Sequence, residues 1–180
     1  MSFSDSALVA RVLGGRRDDY GELVRRHQDL LYRHARGMGL DHDTAVDIVQ
    51  DAFVKAYAHL GECRDPAQFR AWVCRVARNL CLDYLKNIRR NTIPLSAVPE
   101  AAEIPAGDQA DLVLSGTLQR ALLSLPVALR EAFLLKHDAE YTYEEVAELT
   151  NASVSAVKMR VHRARESLRG FLTQEGIHAA

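Results

Sequence analysis

Apolar residues along this chain recur three or four positions apart, the spacing that places side chains on one face of an α-helix. Between residues 44 and 60 the positions with this spacing are Ala45, Ile48, Val49, Phe53, Ala56 and Leu60. No run of alternating apolar and polar residues is convincing enough to indicate a half-buried strand. The predicted helices cover about residues 5–13, 18–36, 44–60, a stretch that includes 69–85, then 112–123, 126–137, 143–150 and 154–168. We therefore predict an all-α fold.

Residues 91–111 interrupt this pattern. They contain three prolines, one glycine and four acidic residues, and their apolar positions lack helical periodicity. That composition predicts an extended, flexible, acidic linker. The linker divides the chain into two small helical domains, residues 1–90 and residues 112–176.

Composition and hydropathy bound the class of protein. The chain has 180 residues, of which 48% are hydrophobic and 26% charged, with a formal net charge of −1. This is typical of a globular protein with sizeable cores. No apolar run approaches eighteen residues, so we expect no membrane span. The beginning, "MSFSDSALVARVL", has an early acid and no long apolar stretch. We therefore expect no signal peptide and a cytoplasmic location.

The three cysteines, Cys63, Cys74 and Cys81, have neither a C-x-x-C pair nor the spacing of a zinc site. We interpret them as small packing residues, with a thiol redox sensor as the alternative. The motifs of phosphate-binding loops, nucleophile elbows and zinc proteases are also missing from the sequence. We therefore expect no catalytic residues, no metal, no cofactor and no enzymatic activity.

The second domain ends in a pattern typical of a helix-turn-helix. Thr142 and Glu145 form a capping box for the short helix 143–150, and Ser153 can cap the long helix after the turn "TNAS". Residues 153–170 carry five basic residues and one acidic residue. A basic helix after a tight turn fits the major groove of DNA. An ordinary helical hairpin with a solvated charged face is the alternative.

Acidic residues gather where the third predicted helix begins, at Asp41, Asp43, Asp47 and Asp51. Acids near a helix N-terminus stabilise the helix dipole, which is one explanation. The functional alternative is an acidic face that docks a basic partner helix.

Three segments together resemble the bacterial sigma factors. They are "DIVQDAFVKAY" (47–57), "FRAWVCRVARNLCLDYL" (69–85) and "TYEEVAELTNASVSAVKMRVHRARESLR" (142–169). The chain is most similar to the extracytoplasmic-function (ECF, group IV) class of the sigma-70 family, which has only sigma regions 2 and 4. The resemblance covers about residues 5–90 and 112–172. It implies a region 2 bundle and a region 4 helix-turn-helix on a linker.

The resemblance implies two partners, RNA polymerase core and promoter DNA. In relatives the "VQDAF" helix docks on the clamp helices of the β′ subunit, and the β subunit is a further contact. The implied core-binding residues of this chain are Asp47, Gln50, Asp51 and Phe53. An anti-sigma factor is a further expected partner, and membrane insertion is not expected. The acidic linker resembles a segment that runs through the polymerase cleft, with a simple solvated tether as the alternative.

The loop 61–69 and the helix after it correspond to the part of region 2 that reads the −10 element and captures a flipped base. Such capture needs an apolar or aromatic pocket and cations for the single strand. The implied −10 residues are Arg64, Gln68, Trp72, Arg75, Arg78, Asn79 and Asp83, with Lys86, Arg89 and Arg90 on phosphates. Two roles are open for Trp72, a DNA contact or a support for the pocket.

Two positions depart from the wider family. Arg75 and Val76 stand where primary sigma factors have the tryptophan pair that wedges the duplex, so we expect a stronger dependence on promoter match. Cys63 stands where some ECF members have an aromatic residue, which leaves the captured base unassigned.

In region 4 the resemblance places Lys158, Met159, His162 and Arg163 at the outward positions that read the −35 element. Arg163 is the best candidate to read a base, since arginine can bond guanine bidentately. The side chains suited to phosphates are Ser153, Ser155, Arg160 and Arg165. We therefore predict an alternative sigma factor that recognises −35 and −10 elements and helps to melt the promoter. An autonomous helix-turn-helix regulator with an N-terminal sensor domain is the alternative.

Overall fold

The computed structural model describes residues 3–91 and 109–176, and all its regular structure in these ranges is helical. The helices are α1 (Asp5–Leu13), α2 (Tyr20–Gly37), α3 (His42–Ala58), α4 (Phe69–Asn91), α5 (Gln109–Ser124), α6 (Val127–His137), α7 (Tyr143–Thr150) and α8 (Val154–Gln174). Short 3-10 turns lie at Arg17–Asp19, Leu60–Glu62 and Pro66–Gln68. The all-α prediction is confirmed, and each predicted helix is present. The bounds of α1 and α7 agree with the prediction, and the other helices have at least one shifted end.

The chain groups into two compact units. Within the described ranges, the first unit holds residues 3–35 and 43–91, and the second holds residues 36–42 and 109–176. The segment 36–42, after most of α2, thus groups with the second unit. Of the predicted linker 91–111, Asn91 ends α4 and residues 109–111 begin α5, while 92–108 lie outside the described residues. The predicted boundaries 1–90 and 112–176 stay a prediction.

The core of the first unit is built from the apolar faces of α1 to α4. All six apolar positions predicted for the third helix are buried, which confirms its inward face. On α4 the apolar residues with helical spacing are only partly buried. Phe69 and Val73 are buried, but Trp72, Val76 and Leu80 are half-buried. The remaining buried positions are Cys74, Ala77 and Cys81. Small side chains let a helix approach its neighbours closely, so they occupy the centre of the packed face.

The second unit places α8 against α5, α6 and α7. Val157, Val161, Ala164 and Leu168 are buried on one side of α8, as the spacing predicts. Pro126 is the N-cap of α6 rather than a residue of its first turn. None of the helices in the described residues is long and apolar enough to cross a membrane.

Both ends of the turn between α7 and α8 are fixed by local hydrogen bonds. Thr142 Oγ1 accepts from the Glu145 amide at 3.2 Å, and the Glu145 carboxylate accepts from the Thr142 amide at 2.7 Å. Asn151 ends α7 in the left-handed region at φ 51°, a conformation that asparagine tolerates. Ser153 Oγ then accepts from the Ala156 amide at 3.2 Å and starts α8. The predicted capping box is confirmed.

Thr142→Ala is expected to lower the free energy of unfolding of the second unit by about 1 kcal/mol, because it removes an N-cap acceptor. A urea titration followed by far-ultraviolet circular dichroism measures this loss. The single tryptophan, Trp72, lies in the first unit, and its fluorescence transition serves as the control. An equal shift of the fluorescence transition would show that the cap does not act within the second unit alone.

Candidate functional site

The outer face of α3 is acidic. Asp47 and Asp51 are exposed one turn apart, and Gln50 and Val54 are exposed beside them. Val54 leaves 68% of its surface open to solvent, a large fraction for a branched apolar residue. An acidic ridge (Asp47 and Asp51) therefore runs along an exposed apolar position.

Phe53 differs from the other predicted core-binding residues because only 5% of it is exposed. Its side chain belongs to the packed core, and it forms part of the wall of a groove of about 640 Å³ between α2 and α3. The groove is lined by Arg17, Asp18, Tyr20, Gly21, Val24, Gln28, Val49, Gln50, Phe53, Val54 and Tyr57. Phe53 can meet a partner only through this groove.

Two tyrosines, Tyr20 and Tyr57, line the groove, and neither is among the site residues predicted from the sequence. The Tyr20 hydroxyl donates to the Phe53 carbonyl oxygen at 2.7 Å, which links α2 to α3. Burial raises the pKa of Tyr20, and the nearby Tyr57 adds to the effect. The Tyr20 and Tyr57 rings meet edge to face with centroids 4.9 Å apart. The hydroxyl of Tyr20 therefore stays protonated and keeps the two helices in register.

The loop between α3 and α4 displays polar side chains over a buried floor. Arg64 and Gln68 are exposed, whereas Cys63 and Phe69 are buried. Asp65 caps the turn Pro66–Gln68, since its carboxylate accepts from the Ala67 amide at 3.0 Å. The structure thus brings the predicted loop residues to the surface on a turn fixed by its own hydrogen bonds.

Burial raises the pKa of the Cys63 thiol, and the Asp65 carboxylate adds to this effect. Because the thiolate is the reactive form, this environment disfavours oxidation at neutral pH. Cys74 and Cys81 are each about 1% exposed. The packing interpretation of the three cysteines is therefore supported over the redox sensor.

One face of α4 collects half of the predicted −10 residues. Arg75, Asn79, Asp83, Lys86 and Arg90 are all exposed and share this face by helical spacing. Lys86 Nζ lies 3.4 Å from Asp83 Oδ1, so the only acid among them is paired. The face therefore keeps a positive charge, which suits a nucleic-acid backbone.

The other predicted α4 residues flank this cationic face (Arg75, Asn79, Asp83, Lys86 and Arg90). Arg78 is half-buried and its Nη1 donates to Asn79 Oδ1 at 3.3 Å. Arg89 is exposed toward the end of the helix. Trp72 is half-buried with its ring centroid 6.0 Å from that of Phe69, so it supports the packing and stays partly open to solvent.

The outer face of α8 carries the predicted −35 residues. Ser155, Met159 and His162 are exposed at successive turns, and Arg163 is exposed next to them. His162 Nδ1 lies 3.3 Å from Glu166 Oε2 on the same face. Ser153 is exposed at the N-cap and Arg160 is half-buried. Side chains early in such a helix are those that reach base edges in a helix-turn-helix.

The Tyr143 ring of α7 contacts two lysines, Lys158 of α8 and Lys136 of α6. The Lys158 ammonium lies 5.6 Å from the centre of the Tyr143 ring, and Lys136 lies 5.1 Å from the same ring. These cation–π contacts draw Lys158 toward α7 and away from the outermost face. Tyr143 was not predicted as a site residue, because sequence spacing alone does not bring α7 and α8 together.

Arg165 is directed toward α6. Its Nε donates to His137 Nε2 at 3.2 Å, and the His137 ring lies 4.7 Å from that of Phe133. Desolvation lowers the pKa of His137, and the charges of Arg165 and Lys136 lower it further. A neutral His137 is the form that accepts this hydrogen bond, so the contact holds Arg165 at neutral pH.

Two family models match the two helical units. The Sigma-70 region 2 model matches residues 23–91, and the Sigma-70, region 4 model matches residues 115–168. The first match includes the acidic ridge and the cationic face, and the second includes the helix-turn-helix. The fold and these surfaces therefore define a sigma-70-type transcription initiation factor.

Individual relatives narrow the class. The ECF RNA polymerase sigma factor SigE of Mycolicibacterium smegmatis is 35% identical over 169 residues, which cover 89% of this chain and 64% of SigE. The ECF RNA polymerase sigma factor SigM of Mycobacterium tuberculosis is 33% identical over 170 residues, covering 94% of this chain and 85% of SigM. The chain belongs to the ECF family of RNA polymerase sigma factors. It is an alternative sigma factor that directs transcription initiation.

A solved structure agrees with this assignment. The sigma factor RpoE in complex with the anti-sigma factor NepR from Bartonella quintana matches with a TM-score of 0.70 at 25% identity. The match covers 86% of this chain and 97% of that chain. The alternative of an autonomous regulator with a sensor domain has no support, because the first unit itself matches region 2.

Proposed function

We propose that the first unit docks on core RNA polymerase through α3 and reads the −10 element through α4 and the loop before it. The observation that carries this proposal is the separation of charge within one unit. The acidic ridge of Asp47 and Asp51 stands on α3, while the cationic face stands on α4. A basic or amphipathic helix of the polymerase fits the first surface, and an unpaired DNA strand fits the second.

In this proposal the groove between α2 and α3 deepens the polymerase contact. Its exposed apolar side chains, Val54 and Tyr57, stand beside Gln50 and next to the acidic ridge. Apolar anchors with charges at the rim are typical of specific protein interfaces. We assign the β′ clamp helices to this surface.

The −10 strand is assigned to the cationic face and to the loop. Arg75, Lys86 and Arg90 hold phosphates, while Arg64 and Gln68 stand over the buried floor where a flipped base is captured. Trp72 contributes mainly by packing on Phe69 and offers its exposed part to the strand. Arg78 and Arg89 add charge at the flanks of the same face, and Asn79 and Asp83 supply polar contacts.

The second unit is assigned to the −35 element. Met159, His162 and Arg163 meet base edges, while Ser153, Ser155, Lys158, Arg160 and Arg165 meet phosphates. The contact of Lys158 with Tyr143 supports a backbone role for this lysine rather than base reading. A second groove, of about 500 Å³, lies among Leu118, Phe133, His137, Arg165, Leu168, Arg169, Leu172 and Thr173. We assign the β subunit to it.

The factor acts in the cytoplasm and has no enzymatic activity of its own, since the polymerase carries out the chemistry. The structural match to a sigma factor bound by an anti-sigma factor supports a protein inhibitor for this chain as well. Such an inhibitor would compete with core polymerase for the first unit.

Run-off transcription tests the proposal directly. Purified protein mixed with core polymerase is expected to produce discrete transcripts from a subset of genomic fragments, whereas core polymerase alone should not. Pull-down with core polymerase is the companion measurement. Absence of both polymerase binding and factor-dependent transcripts would overturn the proposed function.

A further inference from the structure

Helix α1 lies against the part of the first unit that contains the −10 loop. It contacts the turns Leu60–Glu62 and Pro66–Gln68, which flank this loop, and also contacts α4. Leu8, Val9 and Val12 are the buried residues on its inner face. The Sigma-70 region 2 match begins only at residue 23, so α1 lies outside the matched segment. Its position therefore needs an explanation of its own.

A single carboxylate ties α1 to α2. Asp5 Oδ1 accepts from Arg26 Nη1 at 3.0 Å, and Asp5 Oδ2 lies 2.7 Å from His27 Nε2. Arg26 Nη1 also donates to the Phe3 carbonyl oxygen at 2.7 Å, and its Nε donates to Glu22. The hydrogen bond to Asp5 raises the pKa of Arg26, so this cation remains charged. The start of α1 is thus held by several charge-assisted bonds.

His27 carries this connection into the loop. It is 7% exposed, and its ring centroid lies 5.6 Å from that of Phe69. Phe69 is fully buried, follows the loop directly and begins α4. Its ring in turn meets Trp72. A continuous line of contacts therefore runs from Asp5 through His27 and Phe69 to Trp72.

We propose that α1 is a brace that sets the position of the −10 loop, and that Asp5 and His27 are positioning residues for base capture. Neither side chain touches DNA in this proposal. They fix Phe69, and Phe69 fixes the end of the loop and the ring of Trp72. A pocket that must accept a flipped base binds it more tightly when the pocket is already formed, because the loop then loses less conformational entropy on binding. The inference rests on the proposed −10 role of the loop.

A second anchor of α1 provides a matched control. Arg11 Nε donates to Asp19 Oδ2 at 2.7 Å, which ties the end of α1 to the turn Arg17–Asp19. The structure shows no ring contact from this pair to Phe69. Loss of the Arg11 contact should release only the far end of α1, so the anchored start of the helix and the line from Asp5 to Phe69 should stay in place.

The experiment compares full-length variants bound to core polymerase. The probe is a fluorescent single-stranded oligonucleotide that carries the non-template −10 sequence of a promoter found by run-off transcription. His27→Leu removes the hydrogen bond to Asp5 and should displace the pocket. We expect this displacement to lower oligonucleotide affinity about tenfold, as the loss of one polar contact with the base would. His27→Gln, which can still donate to Asp5, is expected to recover most of this affinity. Asp19→Asn should remain within about twofold of the wild type.

Affinity for core polymerase should be the same for all these variants, since the groove and the acidic ridge are unchanged. Asp5→Ala removes the same hydrogen bond from the side of α1. Because Asp5 is only half-buried, this variant replaces His27→Leu if His27→Leu does not fold. Equal affinity of His27→Leu and wild type would overturn the brace, as would an equal loss in Asp19→Asn. If wild-type holoenzyme itself ignores the oligonucleotide while it still binds core, the −10 role of the loop fails, and the brace fails with it.

Discussion

Asp51→Arg is expected to weaken the binding of this factor to core RNA polymerase by at least about tenfold, the equivalent of 1.4 kcal/mol. Asp51 is exposed on α3, one turn from Asp47 and next in sequence to Gln50, which lines the apolar groove. Charge reversal there replaces an attraction to a basic partner helix by a repulsion, which lowers the association rate most. Because the side chain is exposed, the fold itself should tolerate the change.

The salt dependence of this effect is diagnostic. Interactions between exposed charges are screened over about 8 Å at physiological ionic strength, so the loss in Asp51→Arg should shrink as salt is raised. Fluorescence anisotropy of labelled protein titrated with core polymerase measures both quantities. Asp29→Arg is the matched control, because Asp29 is exposed on α2 rather than on the acidic ridge of α3, and its replacement changes the net charge equally. Equal losses of affinity in the two variants would show that the effect comes from net charge, and the docking role of the acidic ridge would be rejected.

Arg163→Ala should lower the affinity of the holoenzyme for promoters with an intact −35 element by about tenfold, within the 1–3 kcal/mol given by a good bidentate base contact. Arg163 is exposed on α8 next to His162 and is not part of the buried face of the helix. The loss should be concentrated at one base position, so a −35 element changed at that position should bind both proteins equally. Core binding should be unaffected.

Arg165→Ala gives the contrasting pattern. Arg165 is held by His137 at the side of α8, where a phosphate role is proposed. Its loss should weaken binding to every −35 sequence similarly and reduce the salt slope by about one ion. Electrophoretic mobility shifts over a set of single-base promoter variants separate the two patterns. A uniform loss in Arg163→Ala would show that this arginine contacts the backbone only.

The sequence predicted most of what depends on local signals. The helix caps at Thr142 and Ser153 depend only on residues close in the sequence, and so does the apolar spacing of α3 and α8. These features could therefore be assigned from the sequence directly. The incomplete burial of Trp72, Val76 and Leu80 on α4, beside the buried Cys74 and Cys81, could not be predicted. Cysteine is weakly apolar by composition, and only packing against neighbouring helices decides which side of a helix faces inward.

Contacts between residues far apart in the sequence could not be predicted either. The groove requires Tyr20 of α2 to meet Phe53 of α3, and the anchoring of Lys158 requires Tyr143 to lie beside α8. The bond between Asp5 and His27 joins residues twenty-two positions apart. Each of these contacts depends on how the helices pack against one another. Amphipathic spacing shows which face of a helix is buried, but it does not specify the neighbouring helix or the crossing angle. The resemblance to sigma factors supplied candidate residues, and the structure supplied their neighbours.

The placement of the acidic ridge and the cationic face on different helices bears on how such factors diversify. The residues of the cationic face are exposed on α4, whereas the acidic ridge stands on α3. With the proposed roles, a substitution on the cationic face alters the DNA sequence preferred and leaves the docking surface intact. Selection can therefore act on promoter choice and on polymerase affinity as separate traits. After gene duplication, a copy of this chain would acquire new target genes through a few exposed positions while still competing for the same polymerase pool.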